Sequence, residues 1–204
     1  MNHNVIALDG DGVLLDYNRA YATAWHRAFG YHPKERDPQA YWAMDRWEVE
    51  RLSNDRLDQL QAAFDEGFWS TVPAMAGALE ACKKLSAAGW ELVCVSALRP
   101  QFTDARLRNL GDLGFPIDRV IATDSGSGYR SPKADALAQL RPVAFVDDYL
   151  PNFKGIPSEI HAALVQREPR GTPNIGPELQ SIHSTHTDLT AFADWWLQRR
   201  RAPR

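Results

Sequence analysis

Two aspartates separated by one glycine follow a short apolar run near the start of the chain. Residues 5–8 are Val, Ile, Ala and Leu, and Asp9, Gly10, Asp11 and Gly12 come next. While the backbone stays extended, residues two apart point to the same side, so the carboxylates leave together and need a shared proton or a cation. The glycines allow a sharp turn and the close approach of a ligand. The pattern favours acid–base chemistry or a bound cation, although a turn capped by aspartates would use the same residues.

Further polar residues stand where other apolar runs end. Ser96 ends the second run, Asp147 and Asp148 follow a later one, and Lys133 begins a predicted helix just before that run. In an open α/β sheet, ligands bind beyond the carboxyl ends of the strands. We therefore expect these four side chains to converge on the two N-terminal aspartates.

Strand and helix patterns alternate over most of the chain. Buried strands are predicted at 5–8, 91–96, 119–122, 143–146 and 162–165. Amphipathic helices are predicted between them, and this alternation is typical of an α/β fold with a doubly wound, Rossmann-like parallel sheet.

One long stretch has helical periodicity and no strand pattern. It predicts a small all-helical cap over residues 16–74, inserted after the first strand. The α/β core is then expected to comprise residues 1–15 and 75–204.

As a set, the polar residues resemble the four motifs of the haloacid dehalogenase-like hydrolase superfamily. The first motif, Asp-x-Asp-Gly-Val, is matched by residues 9–13, and the Ser or Thr after the second strand by Ser96. The lysine is matched by Lys133 and the acidic pair by residues 147–148. The predicted insertion is similar to the all-helical cap domain of that family.

The resemblance implies roles for the acidic residues. Asp9 would attack phosphorus to form an aspartyl-phosphate, and Asp11 would protonate the leaving oxygen and later activate water. Mg²⁺ would be the cofactor, held by Asp9, by the main-chain carbonyl of Asp11 and by Asp148. Asp147 would support this site without contacting the ion.

Basic and hydroxyl side chains would handle the phosphate ester. The resemblance implies that Lys133 neutralises the phosphate and that Ser96 donates a hydrogen bond to it. Arg19, Arg99 and Arg130 are candidates for substrate specificity, because they flank the motifs and could meet a second anionic group.

The second aspartate discriminates within the superfamily. Dehalogenating members lack an acid at the position of Asp11, since a halide leaves without a proton, whereas members that act on phosphate esters keep it. The sequence therefore predicts a Mg²⁺-dependent phosphomonoester hydrolase acting on a small phosphorylated metabolite. A phosphomutase of the same fold and a non-catalytic binding domain remain alternatives.

Composition limits the partners. The 204 residues carry a net charge of -3, which argues against nucleic acid as a main partner. No apolar run reaches the roughly 18 residues that a membrane span needs, so we expect no membrane partner and a cytoplasmic protein. Cys82 and Cys94 fall in a predicted helix and a predicted strand, which favours buried thiols over a disulfide.

Overall fold

A six-stranded sheet forms the centre of the protein. The computed structural model describes residues 4–124 and 130–201, so the outer ends of the predicted core lie outside the described residues. All strand pairs are parallel and the order is β3-β2-β1-β4-β5-β6. The strands are β1 Val5–Leu8, β2 Glu91–Ser96, β3 Val120–Ala122, β4 Ala144–Asp147, β5 His161–Val165 and β6 Ser184–His186. The predicted α/β fold with a parallel sheet is confirmed.

Eight α-helices accompany the sheet in the described residues. They are α1 Tyr17–Phe29, α2 Ala43–Arg46, α3 Asn54–Ala62, α4 Glu66–Trp69, α5 Ala78–Ala87, α6 Thr103–Asp112, α7 Ala134–Leu140 and α8 Leu189–Arg201. Short 3₁₀ turns cover Pro100–Phe102, Leu150–Phe153 and Pro177–Ser181.

β1 is covered on both faces, which explains its unbroken apolar run. Ile6 and Leu8 belong to one buried cluster, and Val5 and Ala7 belong to a second cluster on the opposite face. Alternate side chains of a strand point to opposite faces, so a strand buried on both sides is apolar throughout.

The strand order reverses beside β1. β1 pairs with β2 on one side and with β4 on the other, and Leu8 lies opposite Val146. The amide of Asp9 continues this register by donating to the carbonyl of Val146 over 2.9 Å. The ends of β1 and β4 therefore open into one crevice, which is where doubly wound sheets bind ligands.

The sixth strand was not predicted from the sequence. Ser184–His186 is three residues long and polar, and it lies at the sheet edge beside β5. So short a polar segment carries no strand signal of its own, because its strand geometry comes from pairing with β5.

Residues 16–74 contain α1 to α4 and no named strand. Asp16 caps α1 by accepting from the amide of Arg19 over 3.0 Å, and Gly30 ends the helix in the left-handed conformation. The buried side chains Trp25 and Phe68 belong to the same apolar cluster as β1. This segment therefore shares an apolar core with β1, and its division from the α/β core as a separate cap stays a prediction.

Candidate active site

Asp9 lies at the carboxyl end of β1 and contacts the predicted lysine. One oxygen of Asp9, Oδ1, accepts from the amide of Gly10 over 2.7 Å and from Nζ of Lys133 over 2.5 Å. The same Nζ donates to Oδ2 of Asp147 over 2.6 Å. All three charged side chains are buried. The structure therefore brings together side chains that lie up to 138 positions apart in the sequence, from Asp9 to Asp147.

Burial and charge both shift the pKa values of these groups. Burial raises the pKa of Asp9 well above its ordinary value, the charge of Asp147 adds to this, and Lys133 opposes it. Burial favours the neutral form of Lys133, but Asp147 and Asp9 outweigh burial and raise its pKa. The ammonium is therefore charged at neutral pH, and this single positive charge contacts two carboxyl groups, those of Asp9 and Asp147.

Three of these carboxyl groups could hold a metal ion. Oxygen atoms of Asp9, Asp147 and Asp148 lie within 4.8 Å of one another. Hard cations such as Mg²⁺ take carboxylate oxygens as ligands. An added positive charge would relieve the repulsion by Asp147 that, after burial, raises the pKa of Asp9. The donor set therefore fits the predicted ion.

The two motif-four acids have different surroundings. Asp147 accepts from Lys133, from the amide of Tyr149 over 2.8 Å and from Nδ2 of Asn152 over 2.9 and 3.1 Å. Asp147 is thus occupied in holding Lys133 and the following turn. The predicted division, in which Asp148 contacts the metal and Asp147 supports the site, stays a prediction, since both acids belong to the cluster that could hold the ion.

Asp148 is paired with an arginine that the sequence analysis missed. Nε of Arg167 lies 2.6 Å from Oδ2 of Asp148, and the guanidinium carbon lies 4.3 Å from the ring centre of Tyr41. Arg167 also donates to the carbonyl of Tyr41 and to Glu168. Its position two residues beyond the end of β5 was the available signal, since that edge of the sheet carries the site.

The predicted acid–base residue Asp11 is also held by an unpredicted arginine. Nη2 of Arg106 donates to Oδ1 and Oδ2 of Asp11 over 2.8 and 3.0 Å. Arg106 is fully buried in α6, with its guanidinium carbon 5.1 Å from the ring centre of Trp69. Asp11 therefore lies outside the three-carboxylate cluster, and its predicted carbonyl contact with the metal stays a prediction.

Ser96 lies beside the N-terminal turn. It is buried, and its Oγ would be 2.9 Å from a Cβ placed on Gly10. A side chain at position 10 would collide with this hydroxyl, so glycine is needed for the turn to approach β2. The structure thus brings Ser96 to the same edge as Asp9.

The acidic residues open into a cavity of about 330 Å³. Its lining joins strand ends to the inserted segment and comprises Asp9, Asp11, Gly12, Asp16, Tyr17, Asn18, Tyr41, Trp42, Ala43, Met75, Asp148, Tyr149 and Arg167. A larger cavity of about 770 Å³ lies beside the turn Leu150–Phe153, but it is lined mainly by apolar side chains and contains none of the clustered carboxylates. We therefore place the site in the smaller cavity.

The three predicted specificity arginines do not line this cavity. Arg19 is exposed and lies 3.5 Å from Asp16, and Arg130 pairs with Asp135 over 3.1 Å. Arg99 is exposed ahead of the 3₁₀ turn Pro100–Phe102. Flanking a motif in sequence did not bring these side chains to the site, because each projects from the outer surface of its loop or helix.

Comparison with solved structures shows the fold. A dehalogenase shares 15% identity, with 97% of each chain covered and a TM-score of 0.59. A candidate β-phosphoglucomutase from Thermotoga maritima shares 16% identity over 96% of this chain and 99% of that one, with a TM-score of 0.61. A haloacid dehalogenase-family hydrolase from Deinococcus radiodurans R1, with bound phosphate and sodium, shares 18% identity over 96% of each chain, with a TM-score of 0.59. No protein-family model and no curated protein matches the sequence.

The protein therefore has the fold of the haloacid dehalogenase-like hydrolases, as the sequence resemblance predicted. These neighbours include enzymes of different chemistry, so the fold alone does not choose among them. In the described residues, no helix is both long and apolar enough to cross a membrane.

Proposed function

We propose that the protein is a Mg²⁺-dependent phosphomonoester hydrolase whose substrate is a small phosphorylated metabolite. The observation that carries this proposal is the buried cluster of Asp9, Lys133, Asp147 and Asp148, with the second acid Asp11 beside the same cavity. The cluster combines a candidate nucleophile, a fixed cation and metal ligands, and Asp11 supplies the acid that an alcohol leaving group requires.

Hydrolysis takes place in two displacements. An oxygen of Asp9 attacks phosphorus, the bond from phosphorus to the ester oxygen breaks, and Asp11 gives its proton to the departing alcohol. Asp11 then takes a proton from a water molecule whose oxygen attacks phosphorus. The bond between Asp9 and phosphorus breaks, and inorganic phosphate leaves.

The remaining groups manage charge. Lys133, fixed between Asp9 and Asp147, offsets negative charge as the phosphate arrives, and Ser96 donates a hydrogen bond to a phosphoryl oxygen. Asp9 and Asp148 would hold the Mg²⁺. When bound, the ion supplies the positive charge that lets a dianionic ester approach several carboxylates.

A phosphomutase is the second candidate. It would use the same two aspartates, and one structural neighbour is described as a candidate β-phosphoglucomutase. A dehalogenase is less favoured, although several structural neighbours are described as dehalogenases, because a departing halide needs no proton from Asp11.

The first test measures phosphate release. We expect the protein with Mg²⁺ to release phosphate from p-nitrophenyl phosphate and from members of a panel of phosphorylated metabolites. Asp9→Asn should abolish turnover and leave the protein folded, while Asp55→Asn, on the exposed face of α3, should change nothing. Transfer of phosphate between substrate positions, without release, would favour the mutase. No activity on any substrate would favour the non-catalytic alternative.

The metal is tested separately by thermal unfolding. Mg²⁺ at one hundred times its dissociation constant should stabilise the folded protein by about 2.7 kcal/mol, and EDTA should reverse the effect. Asp148→Asn should lose most of this stabilisation. An equal rise in Tm for the wild type and Asp148→Asn would show that the ion binds elsewhere.

A further inference from the structure

Arg106 is the buried cation whose surroundings the proposed function leaves unexplained. Its side chain has no exposed surface, and its one carboxylate contact in the part of the chain that the structure describes is the pair of hydrogen bonds from Nη2 to both oxygens of Asp11. Nε and Nη1 are buried and have no hydrogen-bond partner among the described residues. Buried polar atoms are nearly always hydrogen-bonded, so this arrangement calls for a physical reason.

Stability does not supply that reason. Removing a guanidinium from water is costly, and a single partly exposed carboxylate with one aromatic face returns little of that cost. An apolar residue of similar volume often stabilises such a position equally well or better. A residue that is retained at a cost to stability points to a role in the site.

The contact with Asp11 supplies a reason. Because one nitrogen chelates both carboxylate oxygens, rotation of the Asp11 carboxyl group is restricted. A general acid must lie within hydrogen-bond distance of the ester oxygen it protonates, so its orientation governs its efficiency. Asp11 is about one-quarter exposed at the cavity and needs such a restraint more than the fully buried acids do.

Arg106 itself is fixed from the inserted segment. Its guanidinium lies over the ring of Trp69 at the end of α4, and Nδ2 of Asn109 on the same helix donates to the carbonyl of Val72 over 3.1 Å. α6 therefore connects the chain leaving the insertion to the carboxyl group of Asp11.

We infer that Arg106 is a positioning residue that holds Asp11 in the orientation for proton transfer to the leaving group. This inference rests on the proposed phosphatase function. It adds a residue outside the four motifs to the acid–base step. It also predicts which substrates are hydrolysed more slowly when Arg106 is replaced.

The test compares two esters that differ in their need for an acid. p-Nitrophenyl phosphate releases a weakly basic phenolate, which can leave without a proton. 4-Nitrobenzyl phosphate releases an alcohol, and its oxygen must be protonated as it leaves. We expect Arg106→Met to lower kcat/KM for 4-nitrobenzyl phosphate about 10- to 100-fold, because general acid catalysis contributes about 10²–10⁴-fold. The kcat/KM for p-nitrophenyl phosphate should stay within a few-fold of the wild-type value. Arg106→Lys should recover part of the loss.

Two further variants separate positioning from a general structural defect. Arg108→Met is the matched control, since Arg108 lies on the same helix and pairs with Glu66 on the surface. It should leave both esters unchanged. Asp11→Asn should show the same selective loss as Arg106→Met, and the double variant should be no worse than Asp11→Asn alone. If Arg106→Met does not fold, Arg106→Lys and Arg106→Gln are compared in the same way.

The outcomes distinguish this inference from the proposed function. Equal losses on both esters in the Arg106 variants, with a selective loss in Asp11→Asn, would overturn the positioning role and leave the phosphatase proposal intact. No selective loss in Asp11→Asn would contradict the acid–base assignment itself. Absence of hydrolysis by the wild-type protein would overturn both.

Discussion

Among single residues, Gly12 shows how the site depends on the absence of a side chain. Gly12 has a φ of +91°, and a Cβ there would collide with the carboxyl group of Asp148. Gly12→Ala would therefore strain the backbone and displace a proposed metal ligand. We expect it to abolish the rise in Tm with Mg²⁺, to remove most phosphatase activity and to lower the free energy of unfolding by about 1–3 kcal/mol.

Gly30→Ala separates these two effects. Gly30 has a similar φ of +81°, but an added Cβ would meet no atom within 4 Å. Its substitution should cost only the backbone strain, about 1 kcal/mol, with the response to Mg²⁺ unchanged. An unchanged response to Mg²⁺ in Gly12→Ala as well would contradict the assignment of Asp148 as a metal ligand.

Among the site residues, those at the ends of strands could be predicted from the sequence, and one that lies in a helix could not. Asp9, Ser96 and Asp147 follow apolar runs, so parallel pairing alone places them at one edge. Arg106 lies in the middle of an amphipathic helix, where a charged residue normally faces solvent. Only the packing of α6 against Trp69 and Asp11 shows that it points inward.

At the scale of elements, the helical segment and the turn after β4 together form an aromatic wall of the cavity. Trp42 precedes α2, is 42% exposed and lies edge-on to the rings of Tyr41 and Tyr149, with centroids 4.9 and 6.1 Å away. All three rings line the cavity. Leaving groups that carry a flat aromatic ring should therefore bind better than saturated ones of the same size.

A matched pair of esters tests this expectation. Benzyl phosphate and cyclohexylmethyl phosphate have similar alcohol leaving groups, so a difference in KM reports ring recognition. We expect the benzyl ester to have the lower KM, and Trp42→Ala to raise it by about 2- to 10-fold, which corresponds to an aromatic contact of roughly 0.5–1.5 kcal/mol. Met44→Ala, an exposed neighbour in α2 outside the cavity lining, should have no effect. Equal KM values for the two esters would refute recognition of the ring.

Strands with apolar sequences could be predicted, and the polar strand could not. The five predicted strands are those with apolar cores or apolar runs, and each is present in the sheet. β6 gave no signal, because its residues acquire strand geometry only from β5 and the covering helix α8. The alternation of strands and helices predicted a doubly wound parallel sheet, but the order of the strands and the switch of that order at β1 required the structure.

At the scale of the whole molecule, the far edge of the sheet should set part of the acid stability. His161 on β5 lies beside His183 and Trp195, with ring centroids 5.1 and 5.3 Å away, and its Nε2 is 2.9 Å from Oγ of Ser184. Burial lowers the pKa of His161 to about 4, and the positive charges of His183, Arg199 and His186 add to this effect.

The sign of the pH dependence follows from this lowered pKa. Between pH 6.5 and about 4 the unfolded chain binds a proton at His161 and the folded protein does not, so the free energy of unfolding falls as the solution is acidified. Because the ring is half-exposed and screened by solvent, we expect the loss to be about 1 kcal/mol. Urea unfolding at pH 7 and pH 4.5 should show a smaller acid loss in His161→Gln than in the wild type, while His32→Gln, at an exposed histidine, should match the wild type. If His161→Gln lost as much stability in acid as the wild type, the buried neutral imidazole would not be the source of the acid loss.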